Sequence, residues 1–156
     1  MADHLSTYLN DHLAGAGFAL ELIDHLSEEA PGLAPAAAKL RAEISEDREQ
    51  LRTVMTRLNI LESRVRKAGS WLAEQAAEVK LGVDDEDNGP LRRLERLEAL
   101  ALGIEGKIAL WRALATIPNG VALSSIDLET LTHRGEEQRA KVELWRLQAA
   151  SDALTI

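Results

Sequence analysis

Cysteine is missing from all 156 residues. Disulfides, thiolate metal sites and cysteine nucleophiles are thereby excluded. A chain without cysteine fits a reducing compartment, and a cytoplasmic location is expected. Aromatic residues are scarce, three Trp with one Tyr and one Phe, so stacking platforms for bases or sugars are hard to build. β-Branched residues are few and dispersed, which argues against strands. No run of about 18 uncharged apolar residues occurs, so no segment is expected to span a membrane. The opening MADHLSTYLNDHLAG lacks a basic segment followed by an apolar one, and a signal peptide is not expected. Positive charge is in deficit as well. The formal net charge of −8 disfavours contact with nucleic-acid phosphates. Gly-x-Gly-x-x-Gly, a P-loop and Gly-x-Ser-x-Gly are all absent, which removes the usual motifs for dinucleotides, nucleoside triphosphates and serine hydrolysis.

What remains is dominated by Ala, Leu, Glu and Arg, all good helix formers. The length suits one domain, residues 1–156, with enough chain to bury a core unaided. Leu5, Leu9, Leu13, Ala16, Leu20 and Ile23 recur at helical spacing and predict a helix from about Asp3 to Glu28. Pro31 and Pro35 break it. A second helix is expected from Pro35 to about Leu58, with Leu40, Ile44, Leu51, Val54 and Leu58 as its stripe. A shorter helical pattern over about 60–80 carries Leu61, Val65, Ala68 and Leu72. After the loop LGVDDEDNGP, a long helix is expected from Pro90 or Leu91 to about Ala115. The last begins near Ser125, read as its N-cap, and reaches about Ala150, with Gly135 as a mild weakness. Short loops make each long pair an antiparallel hairpin. About thirty residues join the hairpins, and a long crossover of this kind is a common four-helix-bundle topology. The expected fold is all-α: a four-helix bundle of two antiparallel hairpins, joined by a crossover containing an extra helix.

Several polar residues fall on apolar faces. With Ile104 as zero on the third long helix, Leu97, Ala101, Ile108 and Leu94 lie at about +20° to +80°. Arg92, Arg96, Gly103 and Lys107 lie at about −60° to −120° and read as the wet face. Glu105, near +100°, and Glu98, near +120°, then sit on the inward side. On the second helix Asp47 is in the middle of the stripe, and on the last Gln138 lies among Leu131, Val142, Trp145 and Ala149. His12 is at the stripe edge of the first helix. His12, Asp47, Glu105 and Gln138 are all near mid-helix, which predicts a polar layer across the core. A buried carboxylate there must be paired, ligated or protonated. His12, Asp47, Glu98 and Glu105 are thus the candidate metal ligands, for iron or manganese. The competing expectation is salt bridging of Glu98 and Glu105 to Arg112, Arg139 or Arg48, and hydrogen bonding of Asp47 to His12, Gln138 or an arginine.

The segments YLNDHLAGAGFALEL, EISEDREQLRTVM and LEALALGIEGKIALWRAL resemble a group of bacterial ferritin-like proteins of uncharacterised function. The resemblance covers nearly the whole chain and implies the ferritin-like four-helix fold. Di-metal members of that superfamily take a Glu from each of two helices and Glu-x-x-His from the other two. This chain contains no Glu-x-x-His: Glu21–His25 and Glu129–His133 are one residue too long, Glu43 precedes Glu46 and Asp47, and Glu136 precedes Arg139. An intact di-metal site is therefore not expected, and the chain reads as a non-enzymatic bundle protein. The alternative is a metal-dependent redox or metal-binding protein with a degenerate site around Asp47 and Glu105.

Three further patterns lead to weaker chemistry. Asp3-His4, Asp11-His12 and Asp24-His25 repeat, but at spacings that cannot chelate from one helix. Asp84, Glu86, Asn88 and Glu95 take positions 1, 3, 5 and 12 of an EF-hand-like loop. Pro90 and Arg92 at positions 7 and 9, with no second hand, disfavour calcium there. Gly103 and Gly106, with Ala99, form a small-residue face on which another copy of the chain could pack as a homo-oligomer.

Overall fold

The computed structural model describes residues 2–63, 89–118 and 121–156. They form helices α1 (Ala2–Glu29), α2 (Ala34–Arg57), α3 (Gly89–Thr116) and α4 (Leu128–Ala153), with a 3₁₀ turn, Pro31–Leu33, between α1 and α2. The described residues contain no strand. α1 packs on α2 and on α3, and α3 packs most extensively on α4. This is an all-helical arrangement compatible with a four-helix bundle. No described helix is long and apolar enough to cross a membrane.

The helix ends follow local chemistry. α2 stops in a Schellman motif. Asn59 adopts φ 54°, which asparagine tolerates better than most residues. The Ile60 amide then donates to the Met55 carbonyl at 2.8 Å, and the Asn59 amide to Thr56 at 3.1 Å. Asn10, buried in α1, fastens the chain beyond this turn. Its amide donates to the Leu61 carbonyl at 3.1 Å, and its oxygen accepts from the Ser63 amide at 2.7 Å. Residues 60–63 are therefore not helical, contrary to the helical pattern expected from about 60. The rest of that pattern lies outside the described residues. The N-cap of α4 is Asp127, not Ser125: the Asp127 carboxylate accepts from the Thr130 amide at 2.9 Å and from its hydroxyl at 2.7 Å. Ser125 lies in the preceding turn and accepts from Arg57 instead. No basic residue occupies the last turn of α1. Positive charge arrives from α3, where Arg93 donates to the Glu29 carbonyl at 3.3 Å and Arg96 pairs with its carboxylate. Cations at a helix C-terminus offset its partial negative charge.

The core divides in two. One apolar cluster gathers Leu22, Ile23 and Leu26 of α1, Leu40 and Ile44 of α2, Leu97, Leu100 and Ile104 of α3, and Val142 and Ala149 of α4. The other gathers Leu9 and Leu13, then Leu51 and Val54, then Leu110, Trp111 and Leu114, then Leu131, with Leu123 and Ile126 from the turn before α4. Between the clusters α1, α2 and α4 pass through small or polar residues, among them Ala16, Asp47 and Gln138, whereas on α3 the clusters nearly meet at Ile108 and Leu110.

α3 is rotated relative to the expected wheel. Leu100, Trp111 and Leu114, at about −40°, −20° and −80° from Ile104, are all buried. The inward direction is thus near −20° rather than +80°. Arg96 is buried and Lys107 nearly so, which corrects their assignment to the wet face.

Gly135 brings α4 close to α3. A Cβ there would lie 2.7 Å from Ile108 Cγ1. That atom is the buried branch of a packed side chain and cannot swing aside. Alanine in place of helical glycine contributes about 1 kcal/mol of stability, whereas overpacking costs about 1–3 kcal/mol. Gly135→Ala is expected to lower the unfolding free energy by about 1 kcal/mol in urea titrations. The sequence taken alone would have it raise stability.

Candidate functional site

Asp47 is 1% exposed, at the junction between the two apolar clusters. Lys107 of α3 donates its ammonium to Oδ2, and Arg134 of α4 donates to Oδ1. Gln138 of α4, fully buried, donates from Nε2 to the same Oδ2 at 3.2 Å and accepts from Lys107 at Oε1. Its amide also reaches Glu43 at 3.3 Å, which in turn faces Lys141 at 3.7 Å. Arg134 continues to Glu46 at 3.0 Å. One buried carboxylate therefore links α2, α3 and α4 through charge-assisted bonds, which are stronger than neutral ones. Burial pushes the Lys107 ammonium below its ordinary range, and the Asp47 charge opposes that shift.

Of the residues expected in the polar layer, Asp47 and Gln138 meet directly. Glu105 does not join them. Its side chain is 59% exposed, with Arg139 at 4.0 Å. Glu98 is 49% exposed and faces Arg146 at 3.6 Å. Both lie on the outer face of α3, because the inward direction runs through Trp111 and Leu100. Arg112 pairs with Glu136 at 2.6 Å rather than with Glu105. Glu143, beside them, is held down to about 2 by hydrogen bonds from Arg146 and Arg139. This outer network is a solvated mesh of paired charges, worth little each. Among the described residues no cluster of His, Asp and Glu could hold a metal. Asp84, Glu86 and Asn88 lie outside the described residues, and Glu95 is exposed on α3.

His12 is on the fringe of the layer. It makes an edge-on contact with Tyr8, ring centroids 4.6 Å apart, and burial pushes its pKa down to about 4. It lines a partly open cavity of about 40 Å³ between α1, α2 and α3. Gly15, Ala16, Gly103 and Gly106 give the cavity its room, and Asp47, Lys107, Arg48 and Trp111 supply its polar edge. A Cβ on Gly106 would lie 4.0 Å from His12. Ala99 packs on the first core cluster. The small-residue face expected to meet a second copy of the chain is thus turned toward the chain's own α1 and α2.

Lys107 and Arg134 escaped the sequence reading of the layer, and Arg48, expected to pair with Glu98 or Glu105, lines the cavity instead. A signal existed for Lys107: it is one turn from Ile104 and Trp111, on the side of Leu100 and Leu114. One existed for Arg134 too, about 40° from Gln138 and 20° from Trp145 on its helix, although only the meeting of α2 and α4 brings it to Asp47.

Removing the central carboxylate strands Lys107 and leaves Arg134 with Glu46 alone. Asp47→Ala is expected to cost about 3–5 kcal/mol in urea unfolding. Lys107→Met leaves Asp47 with Arg134 and Gln138 and costs about 1–2 kcal/mol. Equal losses would show that the network is not centred on Asp47.

His12 sets a pH dependence of definite sign. The unfolded imidazole takes up a proton near 6.5, and the folded one resists until about 4. The unfolded state then binds more protons between those values, so stability falls as pH falls through that window. The full term is present above 6.5. Its loss reaches about 3 kcal/mol at low pH. His12→Gln removes it, so wild type should lose more stability than the variant between pH 7 and pH 4. Parallel losses would place His12 in water.

No family model matches the chain, and no curated protein or solved structure is significantly similar to it.

Proposed function

We propose that this chain is a ferritin-like bundle of two antiparallel hairpins that works without a resident metal, as a non-enzymatic helical protein. The observation that carries this reading is the Lys107 ammonium, held against both Asp47 and Gln138. It puts a covalently fixed cation among inward polar groups, where a di-metal bundle would place its ions. Arg134 occupies the other oxygen of Asp47, so both carboxylate oxygens already face positive charge. A divalent ion would have to displace two cations that the chain cannot expel.

The helix directions of this reading are supported by the order in which each helix meets the two core clusters. α1 passes Leu9 and Leu13 before Leu22 and Leu26, and α4 passes Leu131 before Val142. α2 and α3 run through the clusters in the reverse order, from Leu40 to Val54 and from Leu97 to Leu114. Adjacent members of each hairpin are then antiparallel, and α2 and α3 are parallel, as one long crossover requires. Asp24 of α1 pairing with Arg41 of α2 at 2.7 Å, across the short turn, agrees with this.

The rival reading, a degenerate carboxylate metal site, needs Asp47 and Glu105 in one place. Asp47 is in the core and Glu105 on the outer face. Elemental analysis of protein purified without chelator decides between them. The expected result is iron, manganese and zinc far below one ion per chain, with no uptake on reconstitution. Stoichiometric retention of iron or manganese, lost in Asp47→Asn, would overturn the metal-free reading.

A further inference from the structure

Arg48 and Trp111 carry donors that the protein leaves unused, on the wall of the cavity between α1, α2 and α3. Arg48 lines it from α2, with its guanidinium against α1, where a Cβ on Gly17 would lie 3.7 Å from Nη2. Its Nε is buried and has no acceptor, and no ion pair involves Arg48 among the described residues. Trp111, 1% exposed, lines the same cavity, and its indole N–H is also without an acceptor. Both of these atoms are closed to solvent, so a molecule in the cavity meets Arg48 through its outer guanidinium nitrogens. His12 adds a third polar group, neutral at pH 7 because of its burial.

Charge points the same way. The lining holds one carboxylate, Asp47, and two cations, Lys107 and Arg48. Lys107 is committed to Asp47, whose second oxygen is taken by Arg134. Arg48 is the surplus, and one negative charge would balance it. The remaining walls are apolar, among them Ala16, Ile44 and Leu51. Room is limited: a site of about 40 Å³ holds a few waters or a short chain of heavy atoms, since one water needs roughly 10–15 Å³ on this measure.

We propose that this cavity is a binding site for a short-chain monocarboxylate. Its carboxylate meets the Arg48 guanidinium, whose planar fork matches two oxygens better than a point cation does. Two to four carbons lie against Ala16, Ile44 and Leu51. Gly15, Gly103 and Gly106 keep the space open, and around Gly103 no atom lies within 4 Å of where a Cβ would stand. The inference goes beyond the metal-free reading and does not depend on it, because the Lys107–Asp47 pair is a wall of this cavity and not its ligand.

Isothermal calorimetry on the full chain, with propionate and butyrate as probes, tests the proposal. Propionamide, chloride and phosphate serve as comparators. Saturable binding of the acids is expected, with propionamide and both inorganic anions weaker by about tenfold or more. Arg48→Met should weaken butyrate by at least about tenfold, and Arg48→Lys by less. Ala16→Leu should abolish binding by filling the space. Circular dichroism melts establish that each variant is folded, and Arg48→Lys keeps the test open if Arg48→Met is not. Absence of saturation with either acid overturns the proposal. So do equal affinity for chloride or phosphate, undiminished binding by Arg48→Met, and undiminished binding by Ala16→Leu.

Discussion

Burying a carboxylate costs several kcal/mol unless cations and donors replace its water. The arrangement of this bundle answers that requirement at Asp47. Its partners come from two other helices: Lys107 from α3, Arg134 and Gln138 from α4. Slide α2, α3 or α4 by a turn and the carboxylate loses a cation or a cation loses its carboxylate. The two apolar clusters attract without direction. The polar layer between them specifies which turn of α2 faces which turn of α4. Fixing register is the best-attested use of such buried polar groups.

The layer also shapes what surrounds it. Lys107 needs space to reach across from α3, and the neighbouring positions on α1 and α3 are Gly15, Ala16, Gly103 and Gly106. Leucines in those places would have continued the core. With small residues there, a cavity opens beside the ion pair, and Arg48 and Trp111 reach its edge. His12 at its rim is half-buried, and that burial keeps its imidazole neutral. The ion network and the cavity therefore share one cause. The middles of α1, α2 and α4 carry polar and small residues where their ends carry Leu and Ile.

The expected outer surface of α3 was in error for a definite reason. Its helix is apolar over more than half its circumference, with Leu91, Leu102 and Ala109 continuing beyond the true core face. Leu102 is half exposed. When apolar residues surround a helix so broadly, periodicity no longer selects one direction. Choosing the wrong arc placed Glu105 inside and Lys107 outside, and the two are reversed. Long basic side chains add to the ambiguity, because they bury their stems and reach partners some distance away. Arg96 does this toward Glu29. On α2 the stripe is narrow, and Asp47 stood out in it unambiguously.

From the sequence alone came what depends on neighbours along the chain. Ala, Leu, Glu and Arg at helical spacing determine the long helices, and the prolines at 31 and 35 end the first and open the second. Asp47 and Gln138 could be recognised as polar residues on apolar stripes. The absence of Glu-x-x-His could be read directly. Which cation meets Asp47, which way α3 turns, and why Gly135 is glycine depended on residues brought together by packing. Arg134 and Asp47 are far apart in the chain, and their contact exists only because α2 and α4 share a core. Helical periodicity records where a side chain points around its own axis. It carries no record of what stands opposite, and that is what tertiary packing decided.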